Sequence, residues 1–484
     1  MKDKNKIYTL LALGLAIFVV ILDGTLMNIA IKAIIQDLNT SAEAVQAMIT
    51  IYALIMAMFT LIGARLGDIY GRKNIFLIGS GLFGIGALIA TFAPNATVLL
   101  LGWSVIEGLG AALMMPSTLS LMASDFKGTD RSIGLGIWGG ISALGAAFGP
   151  ILGGFLTTHF TWRLAFFVEI IPILLIFLWA KVIPDKKDYI QKKQLDYKGS
   201  MLSATALGFL IYALLYANDF GWLFPNSTHS AGFLGLSITF WFILISFILF
   251  LFFIKQELKC EKHTNCLPLI DMNIFKNKTF TLSIIIALSI STAQAGALFI
   301  LPLFLLIFRG FSAIDISITL LPLMLAIFLV STFASRFDKH KRTITIAGLI
   351  ITIISSFMLK TTITATTNLT DFIPGLVMLG IGIGLIMAQL TNITISSVKT
   401  VKAGEASGIN STIRRLGASL GTAIIGTILF SMLNTTNLPT AQSQISDISF
   451  INATRKSLDA TIIILGIGLI ASLFIPNKEN PNCS

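Results

Sequence analysis

Three carboxylates stand inside otherwise apolar runs of this chain: Asp23 in Leu22-Asp23-Gly24-Thr25-Leu26-Met27-Asn28, Glu107 in Ser104-Val105-Ile106-Glu107-Gly108, and Glu169 in Phe166-Phe167-Val168-Glu169-Ile170. An acid within a membrane-spanning run is costly and marks a functional site, unless a neighbouring helix pairs it for structural reasons. Such a group can hold a proton or pair with a cation. Two carboxylates sharing a low-dielectric space do not both ionise easily, so one of them would hold a proton near neutral pH. A cation would favour the deprotonated pair and a proton the empty one. Competition between the two is a minimal exchange device. Thr25, Asn28 and Ser104 lie beside these acids in sequence and are polar candidates for the same space.

A bilayer is needed to position such groups. The chain has 484 residues, 55% hydrophobic and 12% charged, with a mean hydropathy of +0.87. A soluble protein would carry about twice that charged fraction. A spanning helix needs about 20 mostly apolar residues, and fourteen segments qualify, from 8–33 to 458–475, with the sixth at 163–183. The fold class is therefore an all-α polytopic membrane protein. The net charge of +11 could suggest nucleic acid, but the bases sit in short loops. Counted by loop, twenty-six Lys and Arg share the side of the N-terminus and six lie opposite. That positive-inside bias places both termini in the cytoplasm. Lys2 to Lys6 followed by an apolar run mimics a signal peptide, yet the run is long and contains Asp23, so a retained first helix is expected. With helix 1 running outward and helix 4 inward, Asp23 and Glu107 both fall roughly 5 Å to the outer side of the membrane centre. Cys260, Cys266 and Cys483 suggest no disulfide framework. Cys260, His263 and Cys266 lack a fourth ligand, so no metal is expected there.

The loop Gly63-Ala64-Arg65-Leu66-Gly67-Asp68-Ile69-Tyr70-Gly71-Arg72-Lys73 reads as a tight turn on Gly67 and Gly71 at the membrane surface. Asp68 and Arg72 recur as Asp338 and Arg342. At an offset of 272, Gly108-Leu109-Gly110 is echoed by Gly380-Ile381-Gly382, and Gly145 and Gly149 by Gly417 and Gly421. Directly fused six-helix halves would repeat after about 200 residues. The surplus accommodates two helices, 199–218 and 232–254. The expected organisation is a six-helix bundle over 1–184, a two-helix insert with flanking loops over 185–262, and a second six-helix bundle over 263–484. Segment 140–154 carries Gly140, Gly145, Gly149, Pro150, Gly153 and Gly154. Small residues there let a neighbour approach closely, and Pro150 removes a backbone bond and bends the helix.

These motifs resemble the major facilitator superfamily. The pattern G-x-x-x-G-D-x-x-G-R-K looks like the loop between its helices 2 and 3, and G-x8-G-P-x-x-G-G like the helix 5 motif of its exporters. Leu22 to Ala30 resembles helix 1 of the fourteen-helix drug:proton antiporters, with Lys32 where those usually have proline. Trp162-Arg163, Leu195 to Gly199, Leu267 to Asp271 and Gly404 to Asn410 carry the resemblance from helix 1 to helix 13. It implies two six-helix halves with two extra helices between them, working by alternating access. It further implies proton-coupled antiport in a bacterial cytoplasmic membrane, with the proton gradient as energy source and no cofactor, by a protein functional as a monomer. The partners would be small molecules, protons and lipid, without nucleic acid. The expected cargo is an amphipathic, cationic drug or toxic compound. An endogenous metabolite, siderophore or lipid stays open as the alternative.

Where the family has arginine, two residues, glutamine and glycine in helix 4, this chain has Ser104, two residues, Glu107 and Gly108. Helices 1 and 4 line the cavity of the resembled fold, so Asp23 and Glu107 are expected to bind proton and cation jointly. Glu169 replaces a usual asparagine on a peripheral helix, where water or Arg163 could satisfy it. Gln294, Gln389 and Asn392 are polar candidates on the other wall, with ordinary interhelical hydrogen bonding the equal alternative. By resemblance, Gly63, Gly67, Asp68, Gly71, Arg72 and Lys73, with Asp338 and Arg342, form the cytoplasmic gate. Ile69 stands where relatives often carry a base. All four histidines fall in expected loops and no Walker lysine motif occurs, which argues against an intramembrane enzyme and a nucleotide-driven pump.

Overall fold

A computed structural model describes residues 4–126, 128–184, 194–225, 232–262, 266–311, 313–334, 340–399, 402–433 and 447–476. Its main helices are α1 (Lys4–Asp37), α2 (Ala42–Tyr70), α3 (Arg72–Thr91), α4 (Ala96–Asp125), α5 (Gly128–His159), α6 (Arg163–Leu178) and α7 (Tyr197–Leu215). They continue with α8 (Ile238–Cys260), α9 (Lys278–Leu303), α10 (Ala313–Ala334), α11 (Lys341–Thr362), α12 (Ile373–Ser396), α13 (Ala403–Leu433) and α14 (Asp447–Leu473). Thirteen of them are long and apolar enough to cross a membrane. The exception is α6, which has 16 residues. At 1.5 Å per residue it rises about 24 Å, short of a hydrocarbon core of about 30 Å.

Side-chain caps fix where several helices begin. Ser41 accepts from Ala44 N at α2, Asn95 from Val98 N at α4, Asp196 from Gly199 N at α7, and Ser237 from Phe240 N at α8. Each supplies an acceptor to a first-turn N–H that has no partner within its helix. Between α2 and α3 the chain reverses at Gly71 alone, with φ 99°. Gly67, expected to share that turn, is helical, and α2 runs on to Tyr70.

Packing repeats between the two halves. In the first, α5 lies on α1, α4 on α2 and α3, and α6 on α1 and α3. In the second, α13 lies on α9, α12 on α10 and α11, and α14 on α9 and α11. The sequence echoes mark equivalent contacts. A Cβ on Gly79 of α3 would lie 2.9 Å from Gly110 O of α4, and one on Gly348 of α11 would lie 2.9 Å from Gly382 O of α12. A Cβ on Gly145 would lie 2.8 Å from Phe18 O of α1, and one on Gly417 would lie 2.9 Å from Leu288 O of α9. Without side chains at these points the helix backbones come into direct contact.

The halves meet along two seams, α5 against α10 and α12, and α2 against α13. Helix α7 lies over the second seam on α2 and α13, while α8 packs on α7 and exposes Phe247, Leu251 and Phe252 outward. The insert is tied to the second half by Gln194–Leu195, which pairs in parallel with Cys266–Leu267. Contrary to the expectation of no disulfide, Cys260 at the end of α8 is bonded to Cys266. The turn after α8 brings their Cα atoms to 5.4 Å, within the normal range for the bond. Spacing alone did not reveal that turn. His263 lies outside the described residues.

Candidate functional site

Helix α1 supplies Asp23, α4 supplies Glu107 and Ser104, and α6 supplies Glu169. One carboxylate oxygen from each acid lies within 4.8 Å of the others. All three residues are at most 1% exposed. Close packing of α3 on α4 builds this convergence: a Cβ on Gly86 would fall 2.6 Å from Glu107 N and 2.7 Å from Gly102 O. Within α4, residues Leu100–Glu107 form a π-helix. A wide turn of that kind shifts the side-chain register and often accompanies function.

Aromatic groups from α2, α4 and α6 hold the site. Trp103 donates its indole N–H to Asp23 Oδ1 at 2.7 Å. Its ring stacks on Tyr52 at 5.1 Å and meets Phe166 edge-on at 6.3 Å. The Tyr52 hydroxyl is close enough to interact with Asp23, yet neither it nor Asp23 Oδ2 has an aligned hydrogen bond. Both oxygens of Glu107, both of Glu169 and the Ser104 hydroxyl are likewise without a partner. Among the described residues no Lys or Arg pairs with the three acids. Arg163 is instead engaged by Asp37, Ala93 O and the Trp162 ring. Outside the spans, that guanidinium holds the Asp37 carboxyl below its ordinary range.

Glu107 and Glu169 thus face each other in a desolvated space. Two ionised carboxylates in such contact repel strongly, and a proton bound between them removes the conflict. The same oxygens would accept an organic ammonium or a metal cation once that proton leaves. Glu169, read from sequence as peripheral, is a member of the cluster because α6 packs against both α1 and α3.

The other polar candidates are distributed differently. Thr25 returns its hydroxyl to Ile21 O and Leu22 O at 3.0 Å, and Gly149 of α5 packs over it. The Asn28 side chain lies outside the described residues. Gln294 is half-buried on α9. Gln389 donates to Ala334 O at 2.6 Å, and Asn392 to Ser132 Oγ at 2.7 Å across the α12–α5 seam. Gly140 packs on Phe328 and Ser331 of α10, while Gly145 and Gly149 pack on α1. Pro150, Gly153 and Gly154 are interior to α5.

At the far end of α2, Asp68 receives Arg72 at 3.3 Å and Arg65 at 3.4 Å. Arg65 reaches on to Glu405 of α13 at 2.9 Å and to Leu269 O at 2.8 Å. The Asp271 N–H donates to Glu405 at 2.6 Å, and Lys402 pairs with the Asp271 side chain. Gly404 leaves room for Asp68, and Ser407 donates to Pro116 O at 3.0 Å. The bundle is closed here by both halves and by the strap Leu267–Asp271 together. Gly63 packs on Ala112 and Leu113 of α4, while Lys73 is half-buried on α3. Arg342 caps α14 through Leu473 O at 2.6 Å. Asp338 lies outside the described residues.

Arg65 and Glu405 were visible in sequence only as parts of motifs. An arginine three residues before Asp68 on one helix face was the available signal. Arg414 and Arg415 lie inside α13 and in no loop, so charges counted by loop do not include them. Their signal was two cations within one spanning segment.

Two pseudo-equivalent helical halves around buried ionisable groups are an architecture of membrane transporters. Residues 13–422 match the sequence model of the Major Facilitator Superfamily, and the chain belongs to that superfamily. It is similar to the multidrug resistance protein Stp of Mycobacterium tuberculosis, at 27% identity over 449 residues, covering 92% of this chain and 80% of that protein. It is also similar to the riboflavin transporter RibZ of Clostridioides difficile, at 26% identity over 488 residues, covering 99% and 100%. Its fold matches the solved structure of the proton:xylose symporter XylE with a TM-score of 0.62, at 12% identity and 98% and 97% coverage.

Proposed function

We propose that the protein is a proton-coupled antiporter exporting amphipathic, cationic drugs or toxic compounds by alternating access. The observation that carries the reading is the convergence of Asp23, Glu107 and Glu169 on one buried point without a paired base. In the empty carrier the Glu107–Glu169 pair holds a proton. A cationic substrate beside Asp23 displaces it, and the site returns to the empty state only by taking up another. The latch of Asp68, Arg65, Glu405 and the strap closes one face while the other is open. The positive-inside bias puts that latch and both termini in the cytoplasm. The fourteenth span is α6, whose flanking Trp162 and Trp179 suit interfacial anchoring. The carrier works as a monomer in a bacterial cytoplasmic membrane. Residues 1–184 and 263–484 are its two moving bodies, 185–262 their cover, and the proton gradient alone drives it, without a bound cofactor or metal.

The name of the similar Stp protein supports a drug-export reading. That of RibZ supports the alternative, transport of an endogenous metabolite. Proteoliposomes with an imposed pH gradient separate the readings. Lipophilic cations, neutral drugs and metabolites are each added and proton movement followed. Protons should move in response to the cations. Silence toward every cation would sink the preferred reading.

A further inference from the structure

The α13 face toward α2 carries a group that proton-for-cation exchange does not use. Arg415 lies within the span Ala403–Leu433, and its Nε is buried without a hydrogen-bond partner. Thr412, one turn earlier on the same face, has a buried hydroxyl without a partner. The Tyr52 hydroxyl, across the seam on α2 and within reach of Asp23, also lacks an aligned hydrogen bond. Helix α13 packs along α2 through Gly404 at Asp68 and Gly408 at Ala64 and Leu61. Further along this seam Arg415 comes within electrostatic reach of Tyr52, whose ring stacks on the Trp103 that holds Asp23. The neighbouring Arg414 turns to α12 and donates to the weakly accepting Met387 Sδ at 3.0 Å. Among the described residues no carboxylate pairs with either arginine.

An unpaired guanidinium in a membrane span is costly, and such groups mark ligand pathways. With donors from Thr412 and Tyr52 beside it, its complement is a planar oxyanion, which arginine binds in bidentate fashion. We propose that Arg415, Thr412 and Tyr52 form an acid-binding subsite, so that the preferred cargo is an ampholyte. Its ammonium group lies at the Asp23–Glu107–Glu169 cluster and its carboxylate at Arg415. The inference rests on the exchange reading above and narrows its substrate class.

The test uses full-length protein in proteoliposomes and three probes: a piperazinyl quinolone carboxylic acid, its methyl ester, and tetraphenylphosphonium. Wild type should prefer the acid over its ester by about tenfold in KM, the factor expected for one charge-assisted bidentate contact. Arg415→Gln should abolish that preference, raising KM for the acid about tenfold and for the ester less than about twofold. Arg415→Lys should restore part of it, since a point charge lacks the fork. Equal transport of acid and ester by wild type overturns the subsite and needs no variant to show it. So does an equal loss of all three probes in Arg415→Gln, which would make the arginine a countercharge to Asp23. Failure of wild type to couple protons to any of the three overturns the exchange reading itself.

Discussion

At the residue scale, Trp103 is the group that fixes Asp23. Its N–H satisfies Oδ1 and leaves Oδ2 facing the interior. A hydrogen bond to a charged group contributes about 1.5–3 kcal/mol. Trp103→Phe should therefore raise KM for a cationic substrate about tenfold while kcat changes less, as read by initial rates in proteoliposomes. An unchanged KM would show that the indole orients nothing. Asp23 and Glu107 are legible in the sequence because an acid in an apolar run has a large solvation cost. Glu169 is legible as an acid, but not as a neighbour of Glu107, because the crossing of α6 over α1 and α3 is not encoded in spacing. Tyr52 and Trp103 were invisible, since aromatic residues are common in spans and periodicity does not say which ring meets a carboxylate.

At the scale of elements, close helix contacts and the strap set what can move. Gly149 packs against α1, where its Cβ would run into Thr25 and lie 3.1 Å from Leu22 O. Gly149→Leu forces the helices apart, and overpacking of this kind costs about 1–3 kcal/mol or more. Thermal unfolding in detergent should register a lower midpoint, with transport lost. A wild-type midpoint would mean that α5 tolerates separation from α1.

The latch is the second element. Removing one partner of a buried ion pair costs about 3–5 kcal/mol. Glu405→Gln removes the pair that ties Arg65 to α13, leaving it Asp68 and Leu269 O, so the closed end should be released. A single cysteine at Ser407 should then react with a membrane-impermeant maleimide added on the latch face several times faster than in the parent. Equal rates would place the closure elsewhere. Asp271 sets no pH threshold in this range. Burial works against its charge, but Lys402 and Asn273 outweigh it and hold the carboxyl below its ordinary range. Its contribution is present above the ordinary carboxylate value and is lost only as pH falls through the lower folded one. The Asp271–Lys402 contribution to the latch should be constant across neutral pH. The glycine echoes at an offset of 272 exposed the repeat directly, because close backbone approach admits few residue types. The strap carried no such signal, since its contacts to Arg65 and Glu405 are made by backbone groups of an irregular segment.

At the scale of the whole molecule, two halves with matching internal contacts share one seam on each side, and the ionisable groups divide between them. The acid cluster belongs to the first half, at α1, α4 and α6, and Arg414 and Arg415 to the second, at α13, while Arg65 and Glu405 join the two at the latch. In the exchange proposed above, a change in charge at the cluster would act on one half while the latch is held by both, and protonation would be linked in that way to the relative position of the halves. The claim on which this account stands is that the Glu107–Glu169 pair gives up a proton when a cation binds. The direct measurement is proton release into weakly buffered detergent solution on adding a lipophilic cation. Wild type should release protons in proportion to the cation bound, and Glu107→Gln and Glu169→Gln should each bind the cation with little or no release. Release at the wild-type level from both variants would contradict the account.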